Sequence, residues 1–202
     1  MAAAAPSLDT LAANPEAKVG PNAVTQVAAA LRALGGETLA VQVFKSSGLG
    51  DILITPPEKM VAQDIAARLH DGLRIALPPG TARGIARDAG HRTADYLLAN
   101  RIPRPAQWVM KTLPARWAGR LLLRAMAANA WTYAGSGRVH VTPGNPCRLE
   151  IIDNPLAQPQ CHWHVAVFEH LFRSLVAQNA KVTHPACCAQ GAPACRFEIS
   201  LS

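Results

Sequence analysis

The residues able to do chemistry in this chain gather in its last third, where Cys161, His184, Cys187 and Cys195 carry soft or borderline donor atoms. Three of them lie in the run His-Pro-Ala-Cys-Cys-Ala-Gln-Gly-Ala-Pro-Ala-Cys-Arg-Phe, with Gly191 midway between Cys187 and Cys195. Three thiols and an imidazole suit a tetrahedral zinc ion. All four positions come from the protein, so none is open to a catalytic water and the site reads as structural. Gly191 permits a positive φ that turns both thiolates inward. His184 reaches the same ion from the end of a strand, and Cys161 opens a helix whose N-terminal dipole favours a thiolate. Cys188 competes with its neighbour Cys187 for the ligand role, and His162 and His164 are substitutes at the helix start. Taken singly, each cysteine is a small buried hydrophobe, which is the reading given to Cys147. Only the grouping points to a metal.

The elements that must position these residues follow from pattern and punctuation. Pro21 and the apolar spacing of Ala23 to Leu34 predict a helix that Gly35-Gly36 stops. Thr38 to Phe44 reads as a short strand or loop edge, and Ser46 to Asp51 as a flexible turn. Thr55-Pro56-Pro57-Glu58 has the form of a capped helix start, followed by a stripe at Val61, Ile65, Leu69 and Leu73. Pro78-Pro79-Gly80 breaks the chain before a long helix from Thr81, and Pro105 and Pro114 open two more, to Leu113 and to about Tyr133. Beyond Gly135-Ser136-Gly137, Val139 to Val141 and Cys147 to Ile152 flank Pro-Gly-Asn-Pro as a β-hairpin. A helix over Cys161 to Gln178 and strands near Lys181 to Thr183 and Arg196 to Leu201 close the chain. The fold class is α+β: a helical N-terminal half packed on a small antiparallel sheet with one further helix.

Half of the 202 residues are hydrophobic, enough for one sizeable core, and the net charge is +7. That charge favours an acidic partner: nucleic acid, an anionic membrane surface, or a ligand with carboxylates. The arginines are scattered along helices, with no polybasic run, which argues against nucleic acid. Met1 to Ala17 lacks a basic segment followed by an apolar one, so no secretory signal is expected. Residues 1–19 read as a disordered tail and 20–202 as a single ligand-binding domain. No run approaches the roughly 18 uninterrupted apolar residues of a membrane span, and Leu121 to Trp131 is cut by Arg124. Five cysteines without an export signal place the chain in a reducing cytoplasm.

The stretch from Cys161-His162 to Cys195-Arg196-Phe197 resembles the 4-vinyl reductase domain family. Members show Cys-His at the helix start and end on Glu-x-x-Cys-x3-Gly-x3-Cys-x-Phe; His184 stands here where the family has Glu. Gly20-Pro21-Asn22-Ala23, Tyr96 to Pro103 and Ala130 to Gly137 are similar to members from bacteriochlorophyll biosynthesis, so the likeness covers nearly the whole chain from Gly20. The resemblance implies an α+β domain akin to vesicle-tethering complex subunits, often a homodimer, with zinc beside a pocket for an apolar ligand. It also implies a Mg-tetrapyrrole intermediate as ligand, a Mg-protoporphyrin ester or divinyl protochlorophyllide, and bacteriochlorophyll-synthesis enzymes as partners. The expected location is cytoplasmic, peripheral to the photosynthetic membrane.

A vinyl reductase needs a hydride source, and no side chain supplies one catalytically. Gly48-Leu49-Gly50-Asp51 and Gly135-Ser136-Gly137-Arg138 are glycine turns without the strand-turn-helix context of a dinucleotide site. A reductase of this sequence would draw on an external reductant. The residues therefore favour a carrier or assembly factor over the 4-vinyl (8-vinyl) reductase that makes monovinyl (proto)chlorophyllide. A ligand-sensor module ranks third, since no output domain is evident. A tetrapyrrole needs a wide apolar slot and a cationic rim. Trp108, Trp117, Trp131 and Tyr133 are candidate walls. Arg92, Arg101, Arg116, Arg120 and Arg124 are candidates for the rim, and His91 or His140 for an axial magnesium ligand.

Overall fold

The computed structural model describes residues 17–201. Lys18–Val19, inside the expected tail, forms a two-residue strand β1 that pairs antiparallel with β2, Val61–Ala62. Most of the tail, residues 1–16, lies outside the described residues.

Helix α1 spans Asn22–Ser46 and is interrupted, not ended, by its glycine pair: Gly35 and Gly36 leave helical dihedrals, Gly36 at φ 68°. Thr38 to Phe44 is therefore helix, correcting the strand reading. Its threonine and valines match strand composition, but the buried residues Ala40, Val43 and Phe44 sit at i, i+3 and i+4, so one helical face meets the core. By length and composition alone this helix could cross a membrane, which the test for an uninterrupted apolar run did not register. It carries the break at Gly35-Gly36, and α3 and α4 pack against it.

The expected flexible turn at Gly48 to Asp51 instead starts a short helix α2, Gly50–Ile54, and Thr55 closes it. Helix α3 starts at Gln63 rather than near Pro57 and runs to Ala76. Val61 is taken by pairing with Val19, so the chain stays extended until Ala62. Then come α4 (Pro79–Asn100), α5 (Arg104–Thr112) and α6 (Ala115–Ala128), each entered through proline, then a 3-10 turn at Ala130–Thr132.

Strands β3 (Arg138–Thr142), β4 (Cys147–Ile152), β5 (Lys181–Ala186) and β6 (Ala194–Ser200) form an antiparallel sheet of order β3-β4-β6-β5. Helix α7 (His162–Leu175) follows β4. Alternation gives the sheet one buried face, with Cys147, Leu149 and Ile151 on β4 and Cys195, Phe197 and Ile199 on β6. Phe168 of α7 meets Phe197 edge-on at 5.0 Å between ring centres. On its other side α7 packs against α4, closely enough that a Cβ on Gly90 would lie 2.6 Å from the Trp163 carbonyl oxygen. Glu169, nearly buried, clamps the layers: it accepts from the Val182 N–H at 3.1 Å and pairs with Arg173 at 3.2 Å and Arg87 at 3.9 Å. The architecture is α+β, as the sequence pattern implied.

Candidate metal centre and adjoining cleft

Four backbone devices bring the donors together. β6 delivers Cys195 on its buried face opposite Ile151. The β5–β6 register slips between Thr183 and Ala186, placing one extra residue on β5 beside His184. A 3-10 turn at Cys188–Gln190 and Gly191, at φ 85°, return the chain from Cys187 to β6. Cys161 enters α7 at φ 41° just after Gln160 at φ 67°. Two consecutive left-handed non-glycine residues hold strain of about 1–3 kcal/mol each, concentrated where a thiol must be aimed.

The resulting donor atoms all lie within 4.8 Å of one another. Cys161 Sγ is 3.9 Å from Cys187 Sγ and 3.7 Å from Cys195 Sγ, and the latter two are 3.9 Å apart. A regular tetrahedron with metal–sulfur bonds of about 2.3 Å has edges of about 3.8 Å. The three sulfurs thus already stand at metal-site spacing.

His184 stacks on Phe197 at 4.6 Å, and neither of its buried ring nitrogens has a hydrogen-bond partner among the described residues. A buried nitrogen left without a partner is costly, and a metal ion would satisfy it. The thiol of Cys161, donating to its neighbours, pulls the thiols of Cys195 and Cys187 below their ordinary range, while its own is pushed up. The Cys188 N–H adds a donor to Cys195 Sγ at 3.4 Å. The cluster is therefore able to hold a metal ion. Of the two adjacent cysteines, Cys187 faces it, whereas the Cys188 thiol turns to the Ile151 carbonyl at 3.8 Å. Cys147 is buried on β4 and donates to the Gly144 carbonyl at 3.1 Å.

Beside the cluster, α3, α4, the segment before α7 and the first turn of α7 enclose a cleft of about 190 Å³. Leu73, Ala82, Leu156 and Trp163 give it apolar walls, and Arg74, Arg83 and His162 add polar and charged side chains. Cys161 is shared by cluster and cleft. Trp163 is fixed by its indole N–H donating to Thr93 Oγ1 at 3.3 Å and by an edge contact with His70 at 5.6 Å. His70 and His164 bond through Nε2 to the carbonyls of Ala23 and Tyr133, both at 3.1 Å. Burial pulls each down to about 4, so both are neutral near pH 7 and serve as donors. His162 is also lowered, chiefly by burial and then by Arg83 and Arg87.

The residues expected as slot walls and rim stand elsewhere. Trp108, Trp117 and Trp131 are exposed. Tyr133 is buried, its hydroxyl donating to the Met126 carbonyl at 3.2 Å. Arg92 pairs with Asp88 at 2.8 Å, His91 lies against His170 at 5.5 Å, and His140 is exposed on β3. None of these lines the cleft. Sequence reading passed over Trp163 and His70. The signal for Trp163 was the run Cys161-His162-Trp163-His164, whose aromatic sits beside the metal-facing thiol.

Residues 155–201, which supply α7, β5, β6 and all four donors, match the model of the 4-vinyl reductase domain. Over 188 residues the chain is 42% identical to the bacteriochlorophyll synthase 23 kDa chain of Cereibacter sphaeroides, covering 90% of each. It belongs to that family. The Rhodobacter capsulatus member of the 23 kDa chain family is 34% identical over 190 residues, covering 91% of this chain and 87% of that one. Solved structures share the fold. One from a study of heme distortion in the H-NOX family superposes with a TM-score of 0.60 at 12% identity, over 91% of this chain and 95% of that one. An H-NOX protein from S. oneidensis in the Fe(II)NO state gives 0.53 at 13% identity, over 91% and 99%. The chain thus shares the H-NOX architecture, and at such identity the likeness extends to the fold alone.

Proposed function

We propose that this chain binds a Mg-tetrapyrrole intermediate of bacteriochlorophyll synthesis, a Mg-protoporphyrin ester or divinyl protochlorophyllide, and carries it between synthesis enzymes. The relatives' name supports the pathway, and the cleft supports the ligand class. A tetrapyrrole edge presents an apolar ring with a propionate-type carboxylate. Trp163 and Leu73 suit the ring, and the Arg74 and Arg83 guanidiniums suit the carboxylate. That pairing of apolar wall with two guanidiniums is the observation that carries the reading. H-NOX structures are described with heme, so the architecture is compatible with a flat macrocycle.

Size favours a carrier. A cleft near 190 Å³ falls below the roughly 300–1,000 Å³ of sites that engulf a drug-sized ligand. It grips one edge and leaves the remainder of the disc open to a receiving enzyme. The metal is read as zinc, since three thiolates and an imidazole at tetrahedral spacing suit that ion and leave it no open position. Its role is to tie Cys161, and with it the cleft wall, to the sheet.

The test is an absorbance titration with Mg-protoporphyrin monomethyl ester and divinyl protochlorophyllide, with and without NADPH. A saturable Soret shift indifferent to NADPH is expected. Repeated conversion to the monovinyl product with NADPH or reduced ferredoxin would replace the carrier with the 4-vinyl reductase. No shift would remove the tetrapyrrole.

A further inference from the structure

The helical pair α5–α6 lies apart from the cleft and presents an unusual outer face. Trp108, on α5, is 69% exposed; Trp117 and Leu121, on α6, are 57% and 42% exposed. Arg104, Trp108 and Lys111 recur at i, i+4 and i+7, and Trp117, Arg120, Leu121 and Arg124 at i, i+3, i+4 and i+7, so each set shares one helical face. The opposite face of α6 buries Ala118, Leu122, Leu123 and Met126, which fixes the tryptophan face outward. Exposed Leu113-Pro114 forms the corner where the two helices join.

The charge of this face is one-signed. Between Asp95 and Glu150 the sequence contains no Asp or Glu. Arg104, Lys111, Arg116, Arg120 and Arg124 are all exposed, and none pairs with a carboxylate among the described residues. Elsewhere the helices neutralise themselves, as Arg92 does with Asp88 and Arg32 with Glu37. Cations left free around exposed tryptophans need a partner that is negative, flat and apolar just beneath its surface. An anionic lipid leaflet has that profile: indole rings settle at headgroup depth and guanidiniums reach the phosphates.

We infer that the α5–α6 face is a docking surface for an anionic bilayer. It holds the protein peripherally through Trp108 and Trp117, flanked by Arg116, Arg120 and Arg124. This inference is independent of what occupies the cleft.

The experiment is flotation of the full chain with phosphatidylcholine vesicles, alone or containing one-third phosphatidylglycerol, while tryptophan emission is followed. Binding is expected with the anionic vesicles only, weakening as salt rises, with a blue shift of emission. Each cation near the surface is worth about fivefold in partitioning, so R120Q/R124Q should bind roughly 25-fold more weakly. W108S/W117S should lose both the shift and most of the binding. Every altered side chain is exposed, and unchanged thermal unfolding of the variants verifies the fold. Failure to float with anionic vesicles overturns the inference, as does equal binding to neutral ones. So does binding that survives both double variants, or a face that binds duplex DNA or acidic protein while ignoring vesicles.

Discussion

Replacing Cys187 or Cys188 by alanine separates two adjacent thiols that sequence alone leaves equivalent. Cys187 Sγ stands 3.9 Å from both other thiols of the cluster, whereas the Cys188 thiol is turned to a backbone carbonyl. Two thiolates 3.9 Å apart repel by about 4 kcal/mol at an effective dielectric near 20. The cluster must therefore hold either protons or a cation. If the cation is zinc at a free concentration a thousandfold above its Kd, binding stabilises the fold by about 4 kcal/mol. For a chain of this size that corresponds to a Tm shift of roughly 8–16 °C. Metal content by mass spectrometry and thermal unfolding, with and without chelator, read both quantities. C187A should lose the metal and the stabilisation together. C188A should keep one metal per chain and lose less than about 1 kcal/mol, as expected for a half-buried thiol outside the site. Metal retained by C187A at unchanged Tm, or metal lost by C188A alone, would refute the reasoning.

Three further outcomes follow from the packing and charge around the cleft. Gly90→Ala puts a methyl 2.6 Å from the Trp163 carbonyl and 2.7 Å from the Ala166 Cβ. Overpacking there should cost about 1–3 kcal/mol and loosen the first turn of α7, seen as lower Tm and weaker pigment binding; an unchanged Tm would contradict the close α4–α7 crossing. His70 titrates near 6.5 when unfolded and, through burial, only at about 4 when folded. Above pH 6.5 it adds no pH dependence. As pH falls toward 4 the unfolded state takes up the proton first, so stability drops by about 3 kcal/mol in that window. His70→Gln should flatten the difference in denaturant stability between pH 7 and 4 by that amount, and an unaltered slope would refute it. Arg83→Glu should weaken pigment binding at least tenfold in the absorbance titration while leaving unfolding unchanged, because the residue is exposed at the cleft; full retention of affinity would remove it from the ligand's reach.

The donor set was legible in sequence because its chemistry is local and its turn needs Gly191. The same holds for the proline-opened helices and for the hairpin before α7, whose alternation declares a one-sided sheet. Long-range packing was not legible. Thr38 to Phe44 carries strand-forming residues, and only contact with the rest of the core makes it the second half of α1. The start of α3 was misplaced because Val61 pairs with Val19, a partner distant in sequence. For the ligand, abundant tryptophans on α5 and α6 drew attention, while the cleft is built from single residues of α3, α4 and α7. Exposure of Trp108 and Trp117 cannot be read from periodicity, since a tryptophan at helical spacing fits a core face equally well.

Hydrogen–deuterium exchange with and without Mg-protoporphyrin monomethyl ester locates the ligand directly. Protection is predicted in residues 70–76, 79–86 and 156–164, which line the cleft, with residues 104–131 unaffected. Protection confined to residues 104–140, or none at a concentration that saturates the absorbance change, would contradict the assignment of the cleft as the tetrapyrrole site.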